Sequence, residues 1–518
     1  MTVNGSFGPS RPQLKPLVPP WAWPIAVSMA LVVPCFWQPI VSGFDLQSHL
    51  YNAWLAELIS RGSIHGLWIG HQSTNILIDM LLPRLLRSLG ASWAERVTSA
   101  ALVLVFFWGA FRFISEVRGQ AAYWLAPWLA ILSYGFVFQM GFLNYYFACG
   151  IVLWILSILW RQRFGWQALW AAPLFVLSYL AHPLPVLWLL GIMAYCWLAR
   201  RWSARFQPLL FVGSAEALFL IHSFIQARYY TFRMPNRQWI FWTGADQSLL
   251  EGWHYLPVAM GFLLFGVVLL CEPENRWRAI VSVPAQAYAL TAVAVMLMPW
   301  AIEPLTESAA ASFIPERLSL LSGVLLLAVL SRSAYRRWYL PAGLLTAAVF
   351  FASLYCDIGR EARVEAKMER LVQTLPAGAR VVWFEALGNR EELGHASIPE
   401  GKFKHLARQA LSVCCGRLSE ADTHLLSRAC VGHCFDYMNY EPASGQFRIR
   451  AVPGNPVALA TYADLRNMRS GIYVVKAADV PLYALIQCGP DRGDLFMRPL
   501  AQGESGATLA CPGTRGRQ

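Results

Sequence analysis

Residues 142–160 read Phe142-Leu143-Asn144-Tyr145-Tyr146-Phe147-Ala148-Cys149-Gly150-Ile151-Val152-Leu153-Trp154-Ile155-Leu156-Ser157-Ile158-Leu159-Trp160, without one formal charge. As an α-helix this run would rise about 28 Å, close to the thickness of a bilayer's hydrocarbon core. A surface helix of a soluble protein keeps a polar face, whereas this segment is apolar on nearly every side. Arg161 and Arg163 follow it, and only Met140 and Gly141 separate it from another apolar run at 121–139. Apolar runs alternating with Arg clusters are the pattern of a chain that crosses a membrane repeatedly.

Working outward, spans are expected near 22–41, 95–114, 121–139, 142–160, 167–181, 183–199, 207–225, 254–271, 279–300, 315–331 and 338–355, eleven in all. At His182-Pro183-Leu184-Pro185 the sequence allows either two short spans tightly joined or one kinked helix. Composition agrees: the 518 residues are 56% hydrophobic and only 14% charged, against about 25% charged in soluble domains. The fold class expected is an all-α polytopic membrane protein with about 11 transmembrane helices over 1–357.

The formal charge of +12 divides into 22 Lys/Arg against 14 Asp/Glu before residue 358 and 20 against 16 after it. Placing the N-terminus in the cytoplasm puts Arg118, Arg161, Arg163, Arg200, Arg201, Arg205, Arg276, Arg278, Arg332, Arg336 and Arg337 in inside loops. The short outside connections at 140–141, 182–184 and 301–314 hold no Lys or Arg. That asymmetry orients membrane helices and argues against a nucleic-acid partner. Eleven spans then place residues 358–518 outside. The first apolar stretch is long enough to remain as a signal anchor.

The tail reads as a small extracytoplasmic α/β domain. A charged helix is expected over 359–375, with strands after Leu375-Pro376-Ala377-Gly378, at 446–452 and at 472–475, and a disordered end from about 503. Cys414, Cys415, Cys430, Cys434, Cys488 and Cys511 make an even set, which outside the cytoplasm permits disulfides. His424 and His433 lie among them, but the spacing matches no standard zinc pattern.

Only the outside segments 42–94 and 226–253 and the tail are long enough to build a site. The first continues from Gly43-Phe44-Asp45 into apolar positions 46, 50, 54, 55, 58 and 59, a helical period suited to the membrane interface. Asp45 stands at the helix N-cap position, and His49 follows four residues later on the same side. Asp79 is the nearest second carboxylate, and a solvated helix face would also explain it. Asn144, His182 and Arg317 fall at the same outer level, with Glu216 and His222 inside a span. Polar groups there need partners. For Asn144 and Glu216 an interhelical hydrogen bond is the simple explanation, and for Arg317 snorkelling to the interface. Arg237 and Trp239 sit in an aromatic, basic loop that suits a sugar cleft and an interfacial belt equally.

The run Phe44-Asp45-x-x-x-His49-Leu50-Tyr51-x-x-x-Leu55-Ala56-Glu57-Leu58, then Gly62 and Trp68, resembles the first outer loop of the GT-C superfamily of membrane glycosyltransferases. The likeness covers the layout of the whole chain, and at residue level about 44–90. It implies a polyprenyl-phosphate sugar donor, an acceptor that is lipid, glycan or protein, and a bacterial inner-membrane location. It further implies Asp45 as the base that takes the acceptor's proton, and an Arg at a span entrance, here Arg317, serving the lipid phosphate. The paired acids common in the superfamily are missing, since Leu46 follows Asp45; no cofactor is implied, and a divalent metal stays open. A transporter or lipid-handling protein, or an inactive scaffold of this layout, is the alternative.

Overall fold

A computed structural model describes residues 22–41, 73–160, 166–233, 240–250, 252–271, 282–303 and 311–373. It also describes six strands in the tail, and Gly43, Leu46, His49, Leu50, Ala53, Ala56, Glu57, Ser60, Arg61 and Gln238. The described chain is mostly helical. The helices are α1 (Ala22–Val32), α2 (Leu77–Leu89), α3 (Ala91–Arg118), α4 (Ala126–Ser133), α5 (Phe136–Gln139), α6 (Leu143–Leu159), α7 (Trp166–Ala181), α8 (Pro183–Arg201), α9 (Gln207–Arg228), α10 (Leu256–Leu270), α11 (Val283–Leu297), α12 (Ile314–Leu330) and α13 (Tyr339–Gln373).

Five stretches are long and apolar enough to cross a membrane: Ala91–Arg118, Pro183–Arg201, Ala204–Arg228, Trp253–Leu270 and Tyr339–Arg363. Shorter apolar helices accompany them, among them Leu143–Leu159 and Val283–Leu297. These helices are compatible with a multi-pass membrane protein.

The run at 142–160 becomes α6, the hub of the bundle. It packs on α3 through glycines: a Cβ at Gly109 would lie 2.6 Å from the Gly150 carbonyl oxygen. Only Gly at both positions lets the backbones approach this closely. The Trp154 indole N–H donates to the Val105 carbonyl at 3.1 Å across the same contact. At His182 the backbone is extended (φ −163°, ψ 132°), so α7 and α8 are two helices with a tight joint.

The run at 121–139 is not one helix. It breaks into a 3₁₀ turn, α4 and α5 around Tyr134-Gly135, where the 245–248 segment wedges in. A Cβ on Gly135 would stand 2.9 Å from Gln247 Cβ, and Gln247 Oε1 accepts the Val137 N–H at 3.2 Å. The first-loop helix also differs from an interfacial one, because Leu46, Leu50 and Ala53 are buried in the protein's own core.

A three-stranded antiparallel sheet, β1 (Tyr230–Phe232), β2 (Ala301–Glu303) and β3 (Ala311–Ser312), pairs Tyr230 with Glu303 and Ala301 with Ser312. In the tail, β4 (Arg380–Glu385), β8 (Leu482–Cys488) and β9 (Asp494–Pro499) form one sheet. β5 (Met438–Glu441), β6 (Gln446–Ala451) and β7 (Gly471–Lys476) form another. β4 and β8 run parallel, and the remaining pairs antiparallel. Composition turns soluble at Asp357, but α13 runs through that position without a break. The tail's cysteine pairing and the end from 503 lie outside the described residues.

Candidate functional site

The site is assembled on the first turn of α6. Gly141 (φ +71°) makes the reversal that follows α5, and Phe142 leads into the helix. Asn144 and Tyr145 come next, and consecutive helical residues point about 100° apart. Each therefore organises a different group of side chains.

Asn144 is 2% exposed and fully used by protein. Its Oδ1 accepts the Ile78 N–H at 2.9 Å, one of the donors left unpaired at the start of α2. Its Nδ2 donates to the Asn75 carbonyl at 3.1 Å and to Asp79 Oδ2 at 3.0 Å. Asn75 itself holds a positive φ of 60°, a conformation Asn tolerates better than most residues. Asp79 sits in the first turn of α2, where the helix dipole favours a carboxylate. Its Oδ1 lies 2.6 Å from His49 Nδ1. The result is a chain, Asn144 to Asp79 to His49, in which the amide fixes the carboxylate and the carboxylate fixes the imidazole. An Nδ1–H directed at Asp79 is the orientation in which a neutral imidazole would carry its lone pair on Nε2, the tautomer a general base uses. The His49 side chain is 12% exposed and that of Asp79 30%, so the pair is partly screened from water.

The same helix is anchored at Glu57, whose carboxylate takes Arg87 Nη2 at 2.5 Å and Arg61 Nε at 2.7 Å. The Arg87 hydrogen bond, foremost, holds Glu57 below the usual carboxylate range. This ties the first-loop helix to α2 and fixes the height of His49.

Tyr145 organises the second group. Its hydroxyl donates to the Arg317 carbonyl at 2.7 Å, and its ring meets the His182 imidazole edge-on at 5.2 Å. The Arg317 guanidinium lies 4.0 Å above the Phe142 ring and 5.6 Å from that of Tyr145, a cation held on aromatic faces. Phe313, at the entrance of α12, takes a left-handed conformation (φ 57°) and packs against Phe142 and Trp300. Such strain in a non-glycine residue persists only where the surroundings enforce it.

His182 caps α8 by accepting the Leu184 N–H on Nδ1 at 3.2 Å. Burial, reinforced by Arg317, pushes its imidazole down to about 3, so it stays neutral. Its proton is then on Nε2, 3.4 Å from Arg317 Nη1. A guanidinium and a neutral imidazole thus lie side by side over the Phe142 and Tyr145 rings, an arrangement whose net charge suits an anionic group.

Of the residues singled out in the sequence, His49, Asp79 and Asn144 come together, as do His182 and Arg317. Asp45, Arg237 and Trp239 lie outside the described residues. Gly43 and Leu46 flank Asp45: a Cβ on Gly43 would touch Leu46 and come within 3.8 Å of Gly141 Cα, one residue from Phe142. No group of three or more His, Cys, Asp or Glu side chains among the described residues could hold a metal ion.

Sequence reasoning missed the aromatic bed of Phe142, Tyr145 and Phe313, because in a membrane segment aromatics carry no contrast. It also missed Asp246, in the connection between α9 and α10. Asp246 Oδ2 accepts from Ser319 Oγ at 2.5 Å and from Gln247 Nε2 at 3.1 Å, while Oδ1 has no partner among the described residues. Burial, foremost, raises this carboxyl well above its ordinary range; Glu316 adds to the rise, and the Ser319 and Gln247 hydrogen bonds oppose it. No protein-family model, curated protein or solved structure matches the chain.

Proposed function

We propose that this chain is a GT-C-like membrane glycosyltransferase, moving a sugar from a polyprenyl-phosphate donor to an acceptor outside the cytoplasm. The observation that carries the reading is the meeting on one helical turn of a carboxylate-oriented imidazole and an aromatic-backed guanidinium. A transfer of this kind needs a base for the acceptor hydroxyl and a cation for the departing phosphate. In the step, the acceptor oxygen bonds to the anomeric carbon as the bond from that carbon to the phosphate oxygen breaks. The electron pair leaves on the polyprenyl phosphate, whose charge Arg317 offsets beside His182 Nε2–H. The acceptor proton passes to the first outer loop, where the superfamily resemblance gives Asp45 and the geometry gives His49. Eleven spans with the N-terminus inside, in a bacterial inner membrane, with an α/β tail in the periplasm, complete the proposal.

The test is transfer from a short-chain polyprenyl-phosphate sugar to membrane acceptors, with full-length protein reconstituted in lipid. Asp45→Asn and His49→Gln are each expected to lower turnover by about 10²- to 10⁴-fold, the range for loss of a general base. Arg317→Gln is expected to weaken use of the donor. Full activity in both Asp45→Asn and His49→Gln would remove the first outer loop from the chemistry.

A further inference from the structure

Helix α9 carries a carboxylate that lipid cannot satisfy. Its inward stripe, including Phe211, Ser214, Leu218 and His222, faces the bundle, and His222 is its one buried residue. Glu216 lies on the opposite side, exposed, with no hydrogen bond or ion pair to the described residues. It stands eleven residues after Arg205 and twelve before Arg228. At 1.5 Å per residue it is about 17 Å from either charged end, at mid-span. Acyl chains offer no hydrogen-bond partner, and ionisable residues at this depth almost always face protein or a water-filled cavity.

The residues around Glu216 show what would cover it. On the outward face, Leu209, Gly213, Glu216, Leu220, Ser223 and Ala227 follow one another at spacings of four, three, four, three and four. That is the 3.5-residue repeat of a helix seam that stays against a partner along a left-handed crossing. Leu209 and Leu220 are 66% and 60% exposed. A Cβ at Gly213 would meet nothing within 4 Å, so this glycine serves no contact among the described residues. In such seams small positions let backbones approach, and one polar residue sets register.

We propose that α9 is the contact helix of a homodimer, two copies packing in parallel along this seam with their Glu216 side chains hydrogen-bonded to each other. A second copy suits the seam better than another protein. Both copies insert with the same orientation, so symmetry brings the two Glu216 groups to the same depth and opposite each other. Two carboxyl groups satisfy one another when the O–H of one donates to an oxygen of the other, with no outside cation.

The test is energy transfer between two fluorescently labelled pools of full-length protein in phosphatidylethanolamine–phosphatidylglycerol vesicles. Wild type is expected to show transfer that unlabelled protein competes away. Gly213→Ile should abolish it by blocking backbone approach. Glu216→Leu should weaken self-association by about tenfold, and Glu216→Gln, whose amide both donates and accepts, should largely preserve it. Gly191→Ile on α8, another open position, is the control for folding and insertion and should change nothing. Absence of transfer in wild type overturns the proposal, even if the protein captures a different partner. So does transfer unchanged in both Gly213→Ile and Glu216→Leu, or loss caused equally by Gly191→Ile.

Discussion

Helices α9 and α12 are both apolar, 22 and 17 residues long, yet they occupy opposite surroundings. In α12 sixteen of seventeen residues are buried, Arg317 being the exception. In the most apolar part of the stretch carrying α9, Ala204–Arg228, only 6% is buried. Hydropathy cannot distinguish them, because lipid tails and protein core are equally apolar solvents for Leu and Val. Polar residues separate the two. Inside α12, Ser319 donates to Asp246, Ser322 donates to the Trp242 carbonyl, and Glu316 accepts from the Trp300 indole. Glu216 on α9 has no such partner among the described residues. In a bilayer, burial follows the hydrogen bonds a helix can make.

The comparison breaks most visibly at Gly323. A Cβ there would sit 3.2 Å from Gly244 Cα and 3.3 Å from a Leu132 methyl, so Gly323→Leu should force α12 away from the 241–248 connection. Overpacking of this kind is expected to cost about 3 kcal/mol or more, read as lost yield and a lowered thermal midpoint in detergent. A midpoint equal to wild type would mean that α12 is not held where the structure puts it.

The buried carboxyl of Asp246 gives the next effect, as a pH dependence. Its range in the fold lies above the ordinary carboxylate value, so between about pH 4 and its folded value the folded chain binds one more proton than the unfolded one. Stability from this group is therefore present at low pH and lost as pH rises, by up to about 1.4 kcal/mol per pH unit. Asp246→Asn should flatten that slope and gain relative to wild type above pH 7. Parallel stability–pH curves for the two proteins would show that Asp246 is ionised in the fold.

The smallest pair of effects sharpens the contrast itself. Leu321 on α12 is 0% exposed and Val212 on α9 62%. Leu321→Ala should cost about 2 kcal/mol or more through the cavity it leaves, and Val212→Ala should stay within about 0.5 kcal/mol. Equal losses at the two sites, measured by thermal unfolding, would erase the difference between the helices.

How far the sequence could be read follows from the same physics. The run at 142–160 fell within a residue of α6 because nothing distant interrupts it. The strands expected after Gly378 and at 446–452 and 472–475 correspond to β4, β6 and β7. The run at 121–139 read as one span, since the sequence near Gly135 gives no sign of Gln247, more than a hundred residues later, pushing in beside it. At the site, Asp45, His49 and Asp79 stood out as ionisable residues in an apolar chain. Asn144 drew attention as a polar residue in a span. Its three hydrogen bonds to α2 and the turn before it exist only once α2 and α6 meet, and no spacing encodes that meeting. Asp246 lay in a loop whose Arg and Trp residues drew the reading toward a surface role, and only packing reveals its burial.

Helix α13 has 35 residues, a rod of about 52 Å, some 20 Å longer than the hydrocarbon core it would cross. Where the excess begins, Asp357 is clasped by His254 Nε2 at 2.8 Å and Arg360 Nη2 at 2.7 Å. A helix without a hinge transmits rotation and tilt along its axis. A pull or twist at its far end around Gln373 is therefore carried back along one shaft to the level of Asp357, where His254 and, from the other side, Gln38 beside Tyr355 and Gly359 hold it.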